Sequence, residues 1–462
     1  MLSFDPQIII EKLRELPVAA RYRVAFSGGL DSTVLLHALA AQRDQLPGPL
    51  QAIHVNHGLH PEAEAWQRQC EAVCRALGVK FVSEVVQVNV DKGGSLEAVA
   101  RERRYAAFAK LMQPGDYLLL AQHLDDQLET FLLQALRGTG LAGLAAMPAA
   151  ADFASGRLVR PLLDVTRAAL SAWAHQQKLA WVDDPGNQEL RFDRNYLRHE
   201  VLPRLKHRWP SAAETVARTA RHCAEAMELL TIQAADDLKQ YGIPDGYSLA
   251  LQAVRDLSRP RAKQLLRHWL AQHGFVPPPA HKLEQVFTDI LTAGSDRTPC
   301  LDWPGAELRR YRDRLYVQRP LPELPGSFRI RAGEYRDLGP GLGRLGLLPA
   351  ETGIRAAACP DAGLQVSFRV GGELCQPAGQ AHRRPLKKWL QELEVLPWMR
   401  TYLPLLKQGD ELVGVAGLFT CDSWQALPGE PALRVVWEQA PMFLGENKKT
   451  ADFEGESSPA AS

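Results

Sequence analysis

Ser27-Gly28-Gly29-Leu30-Asp31-Ser32 joins two stretches of different period. Before it, Arg23-Val24-Ala25-Phe26 and their neighbours read as a short buried strand. After it, residues 33–41 carry Val34, Leu35, Leu36, Leu39 and several alanines, which read as a helix. A strand-to-helix turn near the start of the chain opens an α/β domain. The two glycines let the backbone bend and approach a ligand closely. The helix behind them offers unpaired N–H groups and the positive end of its dipole. Ser27 and Ser32 add hydroxyl donors. Together these make an anion cradle suited to phosphate. Asp31 is out of place in a plain anion site, because its charge repels phosphate. A Mg²⁺ ion between the carboxylate and the phosphates removes that conflict. A glycine-rich turn capped by Ser and Asp for structural reasons is the alternative.

Outward from this turn, helix and strand alternate. Residues 4–16 read as an amphipathic helix and 50–55 as a second strand. That strand ends in the polar tip Asn56-His57-Gly58-Leu59-His60. Residues 61–77 read as helix, 79–88 as strand, 95–111 as helix and 116–121 as strand. The alternation predicts a doubly wound parallel sheet with right-handed crossovers, which binds ligands at the carboxyl edge of its strands. At that edge stands His123-Leu124-Asp125-Asp126-Gln127-Leu128-Glu129-Thr130. Asp126 and Glu129 are three apart and share a helix face. Side by side they repel, and they call for a cation, either a metal or a substrate ammonium. A solvated helix start with capping acids is the other reading. Residues 158–163 read as a fifth strand, and 166–177 as a helix capped by Thr166. Asp183-Asp184-Pro185-Gly186-Asn187 then leads into Arg191-Phe192-Asp193-Arg194-Asn195-Tyr196-Leu197-Arg198.

Ser-Gly-Gly-x-Asp-Ser resembles the pyrophosphate-binding loop of the N-type ATP pyrophosphatases. It is not a Walker A loop, for no Gly-Lys-Ser/Thr follows the glycines. Three more stretches narrow the resemblance. They are His-x-Asp-Asp-x-x-Glu-Thr from His123, Arg-Gly-Thr-Gly-Leu-x-Gly-Leu from Arg137, and Arg160-Pro161-Leu162-Leu163. With Asp184-Pro185-x-Asn187 and Arg194-Asn195-x-Leu197-Arg198 in this order, the chain resembles the tRNA(Ile)-lysidine synthetases. One departure is Gly186, where that family usually has serine; the turn is kept and a hydroxyl is lost.

The resemblance implies an ATP-dependent ligase. ATP adenylates the wobble cytidine of tRNA(Ile) with a CAU anticodon at its C2 carbonyl. L-lysine then attacks C2 through its ε-amine, so that the product, lysidine, shifts reading from AUG to AUA. On this resemblance Ser27, Gly28, Gly29, Leu30, Asp31 and Ser32 bind ATP, and Asp31 also holds Mg²⁺. Asp126 and Glu129 receive the lysine ammonium, and one of them takes its proton. Arg101 or Arg104, with Arg194, are candidates to stabilise the α-phosphate and the activated base, the alternative for each being an ion pair on a helix surface. Arg198, Arg383, Arg384, Lys387 and Lys388 contact the tRNA. A tRNA thiolase on the same loop is a rival, opposed by the absence of Cys-x-x-Cys. A non-catalytic RNA-binding protein with a nucleotide-sensing domain is another, opposed by Asp31, Asp126 and Glu129.

The chain has 462 residues, too many for one ordinary domain. The expected division is a catalytic domain over 1–210, a helical tRNA-binding domain over 211–320, an α+β tRNA-recognition domain over 326–440 and a disordered tail over 445–462. The seven scattered cysteines fit reduced thiols, and Cys70 and Cys74 read as small apolar fillers on a helix. No signal peptide or transmembrane run is present in the sequence, so a cytoplasmic location without membrane contact is expected. A homodimer is compatible with the sequence. The net charge of +1 does not announce a nucleic-acid binder, but cations cluster locally at 191–208, 255–267, 309–319 and 383–388. Any one patch fits an RNA backbone or, equally, a solvated face with acids folded over it, and the four together favour RNA.

Overall fold

The computed structural model describes residues 4–58, 60–87, 96–241, 248–294 and 297–441. The tail expected over 445–462 lies outside the described residues. The chain forms two compact units, Met1–Leu229 and Leu230–Ser462.

In the first unit α1 (Gln7–Arg14) precedes β1 (Arg21–Ala25). Then follow α2 (Leu30–Ala41), β2 (Leu50–Asn56), α3 (Ala63–Ala76), β3 (Lys80–Val85), α4 (Leu96–Leu111) and β4 (Asp116–Leu119). After these come α5 (Leu124–Leu136), the one-turn α6 (Leu141–Leu144), β5 (Ala150–Phe153), β6 (Gly156–Val159) and α7 (Arg167–Gln176). The sheet order is β3-β2-β1-β4-β6-β5. The first five of these strands run parallel, and β5 pairs antiparallel at the edge. Side chains alternate between faces, as strand geometry requires. Val24, Ala52 and Leu119 point into a core built with α1, α2, α3 and α7. Ile53, Leu118 and Leu158 point to the other face, under Phe108 of α4. Helices on both faces make the sheet doubly wound. The chain moves outward from β1 to β2 and β3, then returns to β4 on the far side of β1. That reversal opens a crevice at the carboxyl ends of β1 and β4.

The expected fifth strand is corrected in extent. It stops at Val159 instead of running to residue 163. Pro161 has no N–H to give a ladder, and Leu162 and Leu163 are buried in a turn. The antiparallel β5 beside it was not expected from the sequence. Thr166 caps α7 as expected, its hydroxyl accepting from the Ala169 N–H at 3.2 Å.

Past the loop, α8 (Asp193–Tyr196), a π-helical turn (Leu197–Val201) and α9 (Leu202–Arg208) form one helical run. α10 (Ala212–Tyr241) follows. In the second unit α11 (Leu251–Asp256), α12 (Arg259–Gln272) and α13 (Ala280–Gln285) pack around the fully buried Trp269. They share that core with an antiparallel sheet ordered β7 (Ser248–Ala250), β10 (Arg314–Gln318), β9 (Ala306–Tyr311), β8 (Cys300–Trp303). The remainder carries a five-stranded and a four-stranded antiparallel sheet with α14 (Leu386–Glu392). So residues 326–440 hold the α+β arrangement the sequence suggested, including strands Tyr335–Asp337 and Arg344–Ala350 in its least legible part.

Candidate active site

The loop between β1 and α2 is held by its own hydroxyls. Ser27 Oγ lies 3.1 Å from Ser32 Oγ, and Ser27 Oγ accepts from the Gly29 N–H at 3.3 Å. Ser32 Oγ donates to the Gly29 carbonyl at 3.0 Å, and Thr33 Oγ1 to that of Gly28 at 3.2 Å. Gly28 sits at φ +85°, and a Cβ there would meet Cys70 Sγ at 2.7 Å. The glycine is therefore required twice, by its backbone angle and by the buried thiol behind it. Its carbonyl accepts from the Val182 N–H at 2.9 Å, which ties the loop to the 183–187 segment.

A cavity of about 480 Å³ opens above this loop. That is the size of a nucleotide site. Ser27, Gly29, Leu30, Asp31 and Ser32 line it, so five of the six residues of the motif reach it. Arg104 and Arg198 stand on its wall, and so do His57 and Asn187. Among the described residues Asp31 Oδ1 is buried with no hydrogen-bond partner, and Asp31 Oδ2 lies 3.5 Å from His123 Nε2. Among the described residues no cluster of three His, Cys, Asp or Glu could cage a metal. Magnesium needs no such cage, since it retains waters and takes one or two carboxylates together with substrate phosphates. A spare carboxylate oxygen beside a phosphate cradle fits it. His57 Nδ1 is likewise buried without a partner among the described residues. Burial, then the charge of Arg104 and the nearby His54, push the His57 imidazole down to about 4, so it is neutral at pH 7.

The carboxylate pair starts α5. His123 and Asp126 cap each other reciprocally: His123 Nδ1 accepts from the Asp126 N–H at 3.3 Å, and Asp126 Oδ2 from the His123 N–H at 3.0 Å. The cation that the pair requires is supplied twice by the helical run beyond residue 193. Arg194 donates to Glu129 Oε2 at 2.7 Å and to Asp126 Oδ1 at 2.9 Å. Arg198 donates to Glu129 Oε1 at 2.7 Å and to Asp126 Oδ1 at 3.0 Å. Two charges of each sign thus meet in a buried knot. Burial raises the Asp126 carboxyl, but His123 and Arg194 outweigh it and hold the group below its ordinary value. Burial also works against the charge on both arginines, and Asp126 and Glu129 raise them in spite of it. Asp125, third member of the acidic cluster, faces elsewhere. It accepts from the Arg167 N–H at 2.7 Å at the start of α7 and pairs with Lys206.

Among the residues singled out from the sequence, Arg101 is exposed and lies over Tyr105 at 4.8 Å from its centroid, outside the cavity lining. Arg198, grouped with the tRNA contacts, stands in the cavity wall and joins it to the carboxylates. His57 and His123 had been noticed only as parts of motifs. The signal that could have found them is their place just past the carboxyl ends of β2 and β4. The basic patches divide. At 255–267, Arg259 and Lys263 pair with Glu284, and Arg261 with Asp237. At 309–319, Arg309 pairs with Glu307, Arg312 with Glu394, and buried Arg310 donates to the carbonyls of Ile290 and Ala293. At 383–388, Arg384 donates to both Glu392 oxygens at 2.9 and 3.1 Å and stacks on Trp389 at 3.7 Å. Arg383, Lys387 and Lys388 are exposed.

Residues 6–205 match a PP-loop domain, 249–316 a TilS substrate binding domain and 364–437 a TilS substrate C-terminal domain. Curated relatives match along most of their length. A tRNA(Ile)-lysidine synthase of Alkalilimnicola ehrlichii is 44% identical over 430 residues, 92% of this chain and 96% of that protein. That of Coxiella burnetii is 41% identical, over 92% of this chain and 94% of its own. That of Pseudomonas aeruginosa is 43% identical, over 93% and 96%.

Proposed function

Because the chain belongs to the tRNA(Ile)-lysidine synthase family, we propose that the crevice between β1 and β4 runs two steps on the wobble cytidine of a CAU anticodon. The protein is a ligase that uses ATP to form a C–N bond on tRNA(Ile). One observation carries the residue-level reading. Arg198 lines the phosphate cavity and also hydrogen-bonds Asp126 and Glu129, so the two halves of the chemistry meet at one side chain.

In the first step Ser27, Gly28, Gly29, Leu30 and Ser32 hold the triphosphate against the N-terminus of α2. The cytidine O2 attacks the α-phosphorus, and pyrophosphate leaves. Asp31 would hold Mg²⁺ together with phosphate oxygens, where the ion offsets charge on the departing pyrophosphate. Arg104, on the cavity wall, stabilises the α-phosphate, and Arg101, exposed outside that wall, takes no part in this step. This activation is needed because a carbonyl oxygen is a poor leaving group and AMP is a good one. In the second step the lysine ε-amine attacks C2; the C–N bond forms, the C–O bond breaks and AMP departs. Asp126 and Glu129 receive the ammonium, and one of them takes its proton. Their charges are already balanced by Arg194 and Arg198, so an ammonium can join them only if a guanidinium turns away. The phosphates of the nucleotide supply that pull on Arg198, and Arg194 follows toward the activated base. The target base has to leave its stack to enter the cavity. Arg383, Arg384, Lys387 and Lys388 contact the tRNA backbone. No helix among the described residues is long and apolar enough to cross a membrane. A tRNA substrate fits the cytoplasm.

Trapping the intermediate tests this order. With tRNA, ATP labelled at the α-phosphate and no lysine, label is expected to accumulate on the RNA. Added lysine is expected to chase it into AMP. Lysine-dependent product formed without any label ever passing through RNA would contradict the scheme.

A further inference from the structure

Two large aromatic side chains stand half in the open at the ends of the helical run beyond residue 193. Tyr196 is 51% exposed and Trp209 58%. Tryptophan carries one of the largest apolar surfaces of any side chain, and burying it is favourable. Trp209 is nevertheless firmly held. Its backbone N–H donates to the Leu205 carbonyl at 2.7 Å, and its backbone carbonyl accepts from the Ala212 N–H at 3.0 Å. The exposed ring therefore projects from a fixed joint between α9 and α10. Cations accompany the aromatics. The Arg208 guanidinium lies 5.6 Å from the Trp209 centroid, and near the other end Arg191 lies 4.7 Å from that of Phe192. Between the ends, Arg198 enters the reaction cavity.

Tyr196 and Trp209 are about 20 Å apart along the run at the usual helical rise. That matches a few nucleotides of single-stranded chain. Unpaired RNA bases are bound by stacking on aromatic rings and guanidinium planes, with cations along the backbone. We propose that Trp209 and Tyr196 are stacking platforms for unpaired anticodon-loop bases that flank the base in the cavity. This rests on the reading that tRNA(Ile) is the substrate. The platforms hold the loop in register while the target base is turned out.

The test titrates the full-length protein with unmodified tRNA(Ile) transcript and follows tryptophan emission. Comparison with Trp209→Phe isolates the signal of the one ring. Quenching that disappears in Trp209→Phe is expected. Trp209→Ala is expected to weaken tRNA binding by roughly tenfold, the scale of one stacked base, with Tyr196→Ala similar and Trp209→Phe close to wild type. The loss should persist at raised salt, unlike the loss of a phosphate contact. ATP affinity should not change in these variants. If wild type binds and turns over tRNA while Trp209→Ala binds it equally well and no Trp209-specific quench is seen, the platform is wrong and the function stands. If wild type neither binds tRNA nor releases AMP, the functional reading fails and takes the platform with it.

Discussion

Asp31 combines a negative charge with a place in a phosphate cradle, and its Oδ1 has no hydrogen-bond partner among the described residues. Asp31→Asn keeps the shape and removes the charge. The expected result is loss of AMP and pyrophosphate release by at least about two orders of magnitude, the scale of losing one charge-stabilising group. Release at the wild-type rate in a discontinuous AMP assay would refute the role. At this scale the sequence was informative about which residues matter and less so about what they touch. Asp126 and Glu129 were legible as a pair needing a cation, because two carboxylates one helix turn apart repel. That the cation is two arginines was not legible. Arg194 and Arg198 come 65 or more positions later, and only the folded chain brings them to the pair. Arg198, a tRNA contact in the sequence reading, stands in the cavity wall and bonds the carboxylates instead. Asp125, next to Asp126 in sequence, stands apart from the pair, because its side chain turns to the start of α7 and to Lys206.

Among the elements, the β1–α2 turn decides the most. Gly28→Ala forces a Cβ into left-handed backbone and to 2.7 Å from Cys70 Sγ. Backbone strain of this kind costs about 1–3 kcal/mol before the clash is added. The expected outcome is a lower Tm and a raised KM for ATP. Adding Cys70→Ala should relieve the clash and recover part of the Tm, while the strain at φ +85° remains. A Gly28→Ala protein with unchanged Tm and unchanged KM would contradict this account of the loop. The parallel strands were legible because short apolar runs bounded by turns repeat through the domain. The apolar run at 158–163 was over-read as strand, since Pro161 ends the ladder while Leu162 and Leu163 remain core. The edge strand Ala150–Phe153 is alanine-rich and half-buried, with no alternation to reveal it.

Over the whole molecule, local cation counts do not tell which charges are already partnered within the fold. Patches at 255–267 and 309–319 are largely occupied by acids and carbonyls that lie far off in sequence, as in the Arg312–Glu394 pair. The exposed cations Arg383, Lys387 and Lys388 remain as the stronger candidates for phosphate contacts. Replacing all three by Gln is expected to weaken tRNA binding and to flatten its salt dependence by about one unit of slope per contact removed, with ATP binding unchanged. An unchanged slope would mean that the RNA lies elsewhere. Arg384→Ala acts differently, because Arg384 is tied to Glu392 and Trp389 and its loss also disturbs packing.

The most direct measurement combines the protein with ATP, Mg²⁺ and radiolabelled lysine. One reaction receives the isoleucine tRNA with a CAU anticodon, and a parallel one receives the same transcript with the wobble C changed to U. The account predicts label in the first RNA only, with AMP released in step. Label in both RNAs would contradict attack at the wobble cytidine. ATP split to AMP with no label in either would contradict lysine as the nucleophile.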